Sequence, residues 1–350
     1  ERNWFFRMSK YQDQLIQYIN DNPDFIQPEH RKNEVLGFLK QPLGDLCISR
    51  PKSRLSWGIE LPFDTDYVTY VWFDALINYI SIPGYSTDDV TFESLWPADV
   101  HLIGKDILTT HSVYWTTMLF ALGLPLPKTI FAHGWWLTDD AKMSKSVGNI
   151  VNPLDLIDEY GVDPVRYYLM SEMVLGQDCN FSIESFARRY NNDLANDFGN
   201  LLNRVSGLIN KYFDGEIPEP GELTDAEQGL QEYAEALPGR VTALIQRFHV
   251  NDAIDAVIEL VRRVNKYMEA QAPWKLAKED KPAAGRVLYT ATDCLRLSAQ
   301  LLLSVMPNKA HAVLAVLGST ETDATWQALP AGTKLQTHEA LFPRIDLSQE

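Results

Sequence analysis

The chain is 350 residues long, too long for one ordinary core, so two or three domains are expected. With 45% hydrophobic and 22% charged residues it is a globular protein and not a disordered one, and no stretch is long and apolar enough to span a bilayer. A formal net charge of −16 excludes a uniformly basic nucleic-acid binder and leaves only a local positive surface for such a role.

The opening ERNWFFRMSKY resembles neither a signal nor a transit peptide and begins in mid-pattern, as a chain cut from something longer would. Leu15, Ile16 and Ile19 recur at helical spacing in KYQDQLIQYINDN, which stops at Asn22-Pro23; Pro42, Gly44 and Pro51 then interrupt the chain. Three strand-like runs follow, YVTYVWF from Tyr67, then DVHLIG, then TIFAHGWW. Helical patterns separate them, DALINYIS and GKDILTTHSVYWTTMLFALG, the second closed by Gly123. Strand, helix, strand, helix, strand predicts parallel βαβ units with chemistry at the strand C-termini. After about residue 185 the chain is helix-periodic, in segments starting near Asn192, Thr224, Asn251 and Ala283, with an acidic, Pro- and Gly-rich surface loop at FDGEIPEPGEL. Cys47, Cys179 and Cys294 form no CxxC pair. They suggest neither a zinc knuckle nor disulfides, but buried free thiols in a reducing, cytoplasmic compartment.

The sharpest chemical signal is Ala141-Lys142-Met143-Ser144-Lys145-Ser146, flanked by Asp139-Asp140 and Gly148 in a solvated, mobile loop. Two ammonium groups three residues apart suit a polyphosphate whose charge moves during reaction. A given pentapeptide arises by chance in a chain of this length about once in ten thousand, which outweighs reading these lysines as incidental loop residues. Here the sequence resembles the class I aminoacyl-tRNA synthetases, whose KMSKS loop stabilises the pyrophosphate leaving group. That implies catalytic roles for Lys142, Ser144 and Lys145, and an adenylate contact for Met143.

YVWFDALINYIS resembles the methionyl members of that family. The resemblance implies that Trp72 and Tyr79 wall a methionine pocket, although both residues are equally at home in a core. Leu76 and Asn78 stand where some members carry Pro and Gly. In HLIGKDILTTH, Gly104 permits close backbone approach after a strand, Asp106 is implied at the adenylate ribose, and His111 is implied to close the methionine pocket. Thr110 and Tyr114 replace other aromatics of that pocket wall. Read alone, Asp106 fits a helix cap and His111 a satisfied buried imidazole. Arg50 matches a family arginine near the active site, and His133-Gly134 the edge of the adenine site.

In the helical half, NDLANDFGNLLNR and EAQAPWKLAKED resemble the methionyl anticodon-binding bundle, placing the anticodon readers at Asn200, Arg204 and Trp274. Asn200 and Arg204 share a helix face, and an indole can stack an unpaired base. Arg262, Arg263 and Lys266 fit either a local basic stripe or a solvated helix face.

The implied fold is α/β followed by all-α: the second half of a Rossmann-type catalytic domain plus a helical anticodon-binding domain. Residues 1–60 end a connective insertion, 61–150 complete the catalytic domain, 151–190 form a linking stem-contact region and 191–350 the anticodon domain. Implied substrates are methionine, ATP with Mg2+ and methionine tRNA, with no zinc site and no membrane. No His-x-Gly-His sequence occurs, so these residues are expected to form no adenylate alone and to need an N-terminal half as partner. A non-catalytic tRNA-binding fragment and a leucyl, isoleucyl or valyl synthetase are the alternatives.

Overall fold

The computed structural model describes residues 2–144, 146, 148–319 and 324–346. The chain divides into two compact units, 1–135 and 136–350, each with its own hydrophobic core. Among the described residues, no helix is long and apolar enough to cross a membrane.

In the first unit, the helix Gln12–Asp21 buries Leu15 and Ile19 and ends at Asn22, as their spacing predicts. A parallel sheet runs in the order Ile26–Gln27, Thr129–His133, Val100–Gly104. The last two strands are the second and third strand runs of the sequence. They are joined by a 3-10 turn at Lys105–Ile107, a π-helical stretch Thr110–Trp115 and the α-helix Thr116–Leu122. Gly123, at φ 69°, ends that helix.

The first strand run is misread by composition. Only its start belongs to a strand, Asp64–Thr69, and that strand pairs antiparallel with Ser49–Pro51 and Glu60–Leu61. Tyr70 is extended and gives its N–H to the Ile48 carbonyl. A short helix Val71–Ala75 then begins, with the Tyr70 carbonyl accepting from the N–H groups of Phe73 and Asp74. Valine and aromatic residues suit a strand or a partly buried turn of helix equally, so local chemistry did not mark the change. The parallel sheet instead takes its third strand from Ile26–Gln27, two residues that carry no periodic signal.

The run TIFAHGWW also splits. Thr129–His133 lies in the first unit, and Trp136–Thr138 is the middle strand of a small sheet in the second, between Ala141–Lys142 and Cys179–Asn180. Three short helices follow, Pro153–Tyr160, Val162–Glu172 and Ile183–Arg189. The predicted long helices appear as a π-helical stretch Tyr190–Gly199 continued by Asn200–Tyr212, then Asp225–Gln246, Val250–Gln271 and Lys281–Leu301. Thr224 and Glu227 form a capping box at the second of these, and the Asp280 carboxylate caps the last.

Lys281–Leu301 is the centre of the bundle, buried almost throughout. It encloses Arg296, which donates to Asp293 at 2.7 Å and Gln300 at 2.6 Å. The acidic loop after Tyr212 is not wholly a surface loop: Ile217 is buried in the core, held by its N–H to the Thr333 carbonyl. The cysteines are all free, but only Cys294 is buried; Cys47 and Cys179 are half-buried.

Candidate functional site

The C-terminal ends of the parallel strands bring together four of the expected residues. Gly104 and His133 are register partners across the sheet. A Cβ at Gly104 would lie 2.7 Å from Asp106 Oδ1, so a larger residue there would push that carboxylate from its place. Asp106 sits in the 3-10 turn and makes no capping bond; its Oδ1 accepts from Trp135 Nε1 at 3.3 Å. His133 Nδ1 donates to the carbonyl of Gly134 at 2.7 Å, which makes Nε2 of the neutral ring an acceptor. Lys105 Nζ lies over the same indole, 4.1 Å from the Trp135 ring centre.

Beside this edge is an aromatic cluster. Tyr79 Oη and His111 Nε2 are 2.9 Å apart, and His111 Nδ1 lies 3.0 Å from the Ile107 carbonyl. A carbonyl can only accept, so His111 carries its proton on Nδ1 and Tyr79 O–H donates to Nε2. The phenol proton is therefore committed to His111. His111 is thus a satisfied buried imidazole within the aromatic cluster.

Trp72 meets His111 edge-on at 6.5 Å between ring centres. Two residues that the sequence did not single out complete the cluster. The His101 ring lies 4.1 Å from that of Tyr79, and Trp115, 5.9 Å from Tyr79, donates Nε1–H to His101 Nε2 at 3.2 Å. Burial, with a smaller contribution from the neighbouring His111, pushes the His101 imidazole down to about 4. Burial also lowers His111, partly opposed by the bond to the Ile107 carbonyl, and raises Tyr79. The result is a neutral, polarizable surface suited to an uncharged group.

The π-helical stretch explains the spacing: Thr116 Oγ1 donates to the carbonyl of His111, five residues back, and the widened turn presents His111 and Trp115 to the same cluster. Thr110 begins that stretch and Tyr114 packs, half-buried, on the core. The one available sequence signal for His101 was its inward place in the alternating strand Val100–Gly104.

Arg50 lies in the antiparallel sheet. Its Nη1 donates to the Ser49 carbonyl at 2.8 Å and to Cys47 Sγ at 3.3 Å, and its guanidinium stacks 4.5 Å from the Tyr70 ring centre.

In the second unit, Lys142 is exposed on the strand Ala141–Lys142, and Met143 is half-buried against the core. The lysine loop carries its own restraints: Asn149 Oδ1 accepts from the Ser144 N–H at 2.9 Å, the Ser144 and Ser146 hydroxyls are 2.8 Å apart, and the Gly148 N–H donates to the Ser144 carbonyl. Lys145 lies outside the described residues.

Arg204 and Trp274 do meet, with 5.8 Å between guanidinium and ring centre, and Arg204 Nη2 pairs with Glu269 at 2.9 Å. Trp274 is presented by a chain reversal at Ala272 (φ 46°), where Pro273 starts a new helix. Asn200 is exposed one helical turn before Arg204. The basic stripe does not form: Arg262 is bonded to Asp193 at 2.6 Å and Asp197 at 2.9 Å, and Arg263 to Glu259 at 3.0 Å. Arg262 is thus part of a partly buried ion network and Arg263 of an exposed pair, with Lys266 exposed beside them.

Residues 1–206 match the family model for class I tRNA synthetases (M), and residues 217–350 that for the anticodon-binding domain of methionyl tRNA ligase. The chain belongs to the methionyl-tRNA synthetase family. Among curated methionine–tRNA ligases, those of Clostridium acetobutylicum and Caldanaerobacter subterraneus are 47% and 45% identical to it over its whole length. The chain spans 55% and 56% of those relatives, about half their length. A solved structure of Mycobacterium tuberculosis methionyl-tRNA synthetase bound by methionyl-adenylate superposes with a TM-score of 0.93 at 41% identity, covering 98% of this chain and 69% of that one. As in that family, an α/β catalytic domain is followed by a helical anticodon-binding domain.

Proposed function

We propose that the chain takes part in ATP-dependent attachment of methionine to its tRNA through a methionyl-adenylate. The observation that carries this reading is the neutral cluster of Trp72, Tyr79 and His111 next to Gly104, Asp106 and His133 at the strand ends. An aromatic wall with no charged group suits an unbranched thioether, and a carboxylate steadied by Trp135 suits ribose hydroxyls. In this proposal Trp72, Tyr79, His111, Thr110 and Tyr114 hold methionine, and Gly104, Asp106, His133, Gly134 and Met143 hold the adenylate. Lys142, Ser144, Lys145 and Arg50 follow the phosphate charge during an in-line displacement. Among the described residues no group of three His, Cys, Asp or Glu is placed to hold a metal, so Mg2+ is proposed to travel with the ATP phosphates.

Asn200, Arg204 and Trp274 read the anticodon. The exposed Asn200 and the Arg204–Trp274 pair on one surface support this assignment. The division at residues 60, 150 and 190 and a cytoplasmic location belong to the same proposal. These residues contain no His-x-Gly-His sequence, and by themselves they are expected to bind tRNA without forming adenylate.

The test is binding of the folded chain to methionine tRNA against the same tRNA with an altered anticodon. Selective binding that Trp274→Ala weakens at least about fivefold, the loss of one base stack, supports the proposal. Equal affinity for both tRNAs sinks the anticodon assignment.

A further inference from the structure

The lysine loop is entered through a hairpin whose tip is strained. Trp136–Thr138 and Ala141–Lys142 pair antiparallel, with Ala141 opposite Thr138 and Lys142 opposite Leu137. Asp139 and Asp140 close the turn, both in the left-handed region at φ 51° and 58°. A two-residue hairpin turn of this kind favours Asn-Gly or Asp-Gly, because a Cβ makes the left-handed region costly. Two consecutive aspartates therefore need support from outside the turn. The strands do not supply it, since so short a two-stranded ribbon is marginal in water.

The support comes from Asn180, 40 residues further along the chain. Its Oδ1 accepts from the Asp140 N–H at 3.0 Å, and its Nδ2 donates to Asp140 Oδ1. One side chain thus holds both the backbone and the carboxylate of the same turn residue. Asn180 is itself fixed to the core of the second unit. Cys179–Asn180 pairs parallel with Trp136–Leu137, and the next N–H, that of Phe181, donates to the Leu137 carbonyl at 2.8 Å. The buried Phe181 ring meets Tyr168 edge-on, 5.6 Å between centres. Asn180, Leu137 and Lys142 therefore occupy one row across the sheet. Asn149, which bonds to the Ser144 N–H and the Lys142 carbonyl, is part of the loop and fixes only its internal shape.

We propose that Asn180 is a positioning residue for Lys142, its clamp on Asp140 keeping the hairpin closed so that the ammonium group meets the phosphate charge. A flexible four-carbon stem gives reach, so the backbone must supply the position. The proposal rests on the phosphate role given to the lysine loop above.

The test measures binding of inorganic tripolyphosphate to the full chain, read by mass spectrometry as protection of Lys142 from reductive dimethylation. Asn180→Ala is expected to weaken binding at least about fivefold, as when the closed hairpin is populated about one fifth of the time or less. The urea midpoint is expected to stay in place, because Asn180 and Asp140 are both exposed. Asn180→Asp sets a second carboxylate against Asp140 and is expected to weaken binding as well. Exchanging the two groups, Asp140→Asn with Asn180→Asp, restores the donor and acceptors without changing net charge. That exchange is expected to recover the original affinity within about twofold. Unchanged affinity in Asn180→Ala, or a loss that follows a lowered urea midpoint and is not recovered by the exchange, overturns the proposal. If the unsubstituted chain binds tripolyphosphate in that case, only the clamp assignment falls. If Lys142 of the unsubstituted chain is not protected at millimolar tripolyphosphate, the phosphate role of the loop falls, and the proposal with it.

Discussion

The two units bury polar groups in opposite ways. In the first, Tyr79, His101, His111 and Trp115 are joined by neutral hydrogen bonds, with both imidazoles held uncharged. In the second, buried Asp193 accepts from Tyr167 at 3.0 Å and from two arginines, Arg189 at 3.2 Å and Arg262 at 2.6 Å, while Arg296 and Asp293 pair at zero exposure. A charged network fixes where helices sit, because breaking it strands a buried ion. A neutral one gives a weaker frame but leaves a surface that an uncharged ligand can cover without stripping water from an ion. The contrast sets the charged network, as scaffold, against the neutral cluster, the proposed methionine wall.

The comparison breaks most sharply at Arg296. Replacing it with Met leaves the Asp293 carboxylate buried without its partner and is expected to cost about 3–5 kcal/mol, read as a lower urea midpoint. A loss below about 1 kcal/mol would mean that this buried pair contributes little to the stability of the bundle.

The neutral cluster makes the next largest prediction, through pH. His101 titrates at about 4 in the folded chain, against 6.5 as the ordinary value. Between those two pH values the unfolded chain binds more protons, so stability is fully present above about 6.5 and falls as pH drops towards 4. The full span is on the order of 3 kcal/mol. His101→Gln is expected to flatten this part of the stability–pH profile; an unchanged slope would show that the imidazole is not held neutral by its surroundings.

Tyr79→Phe has the smallest expected effect. It removes the donor to His111 Nε2 and leaves a buried acceptor unsatisfied, at a cost of about 1–2 kcal/mol. The cluster should otherwise stay packed, with near-ultraviolet circular dichroism retained. A loss as large as that at Arg296 would erase the distinction between the two regions.

Much of the second unit was legible in advance because long amphipathic helices repeat their signal: Val250–Gln271 and Lys281–Leu301 follow apolar periodicity, and the Thr224–Glu227 box marks a start. The reading failed where elements were short or composition was ambiguous. YVTYVWF carries the β-branched and aromatic residues of a strand, yet Tyr70 turns the chain into a helix. Ile26–Gln27 is a strand only because Thr129–His133 lies beside it. For the candidate site, local chemistry pointed to the lysine loop, and resemblance to Trp72, Tyr79, His111, Arg204 and Trp274, of which the structure brings Trp72, Tyr79 and His111 into one cluster and Arg204 and Trp274 into contact. His101 and Trp115 were missed, since a histidine in a strand and a tryptophan in a helix have no local feature that separates site from core.

By itself, the sequence determined where the long helices lie, that an α/β region precedes an all-helical one, and which family the chain resembles, because these depend on neighbours in the chain and on rare short motifs. Only the tertiary structure decided which polar groups find one another. Arg262 looked like free surface charge until Asp193 and Asp197 were placed 2.6 and 2.9 Å from it, and the Tyr79 proton was free to point anywhere until His111 was placed 2.9 Å away. Hydrogen-bond and ion-pair partners lie far apart in the chain, and their choice follows from packing that no local pattern records.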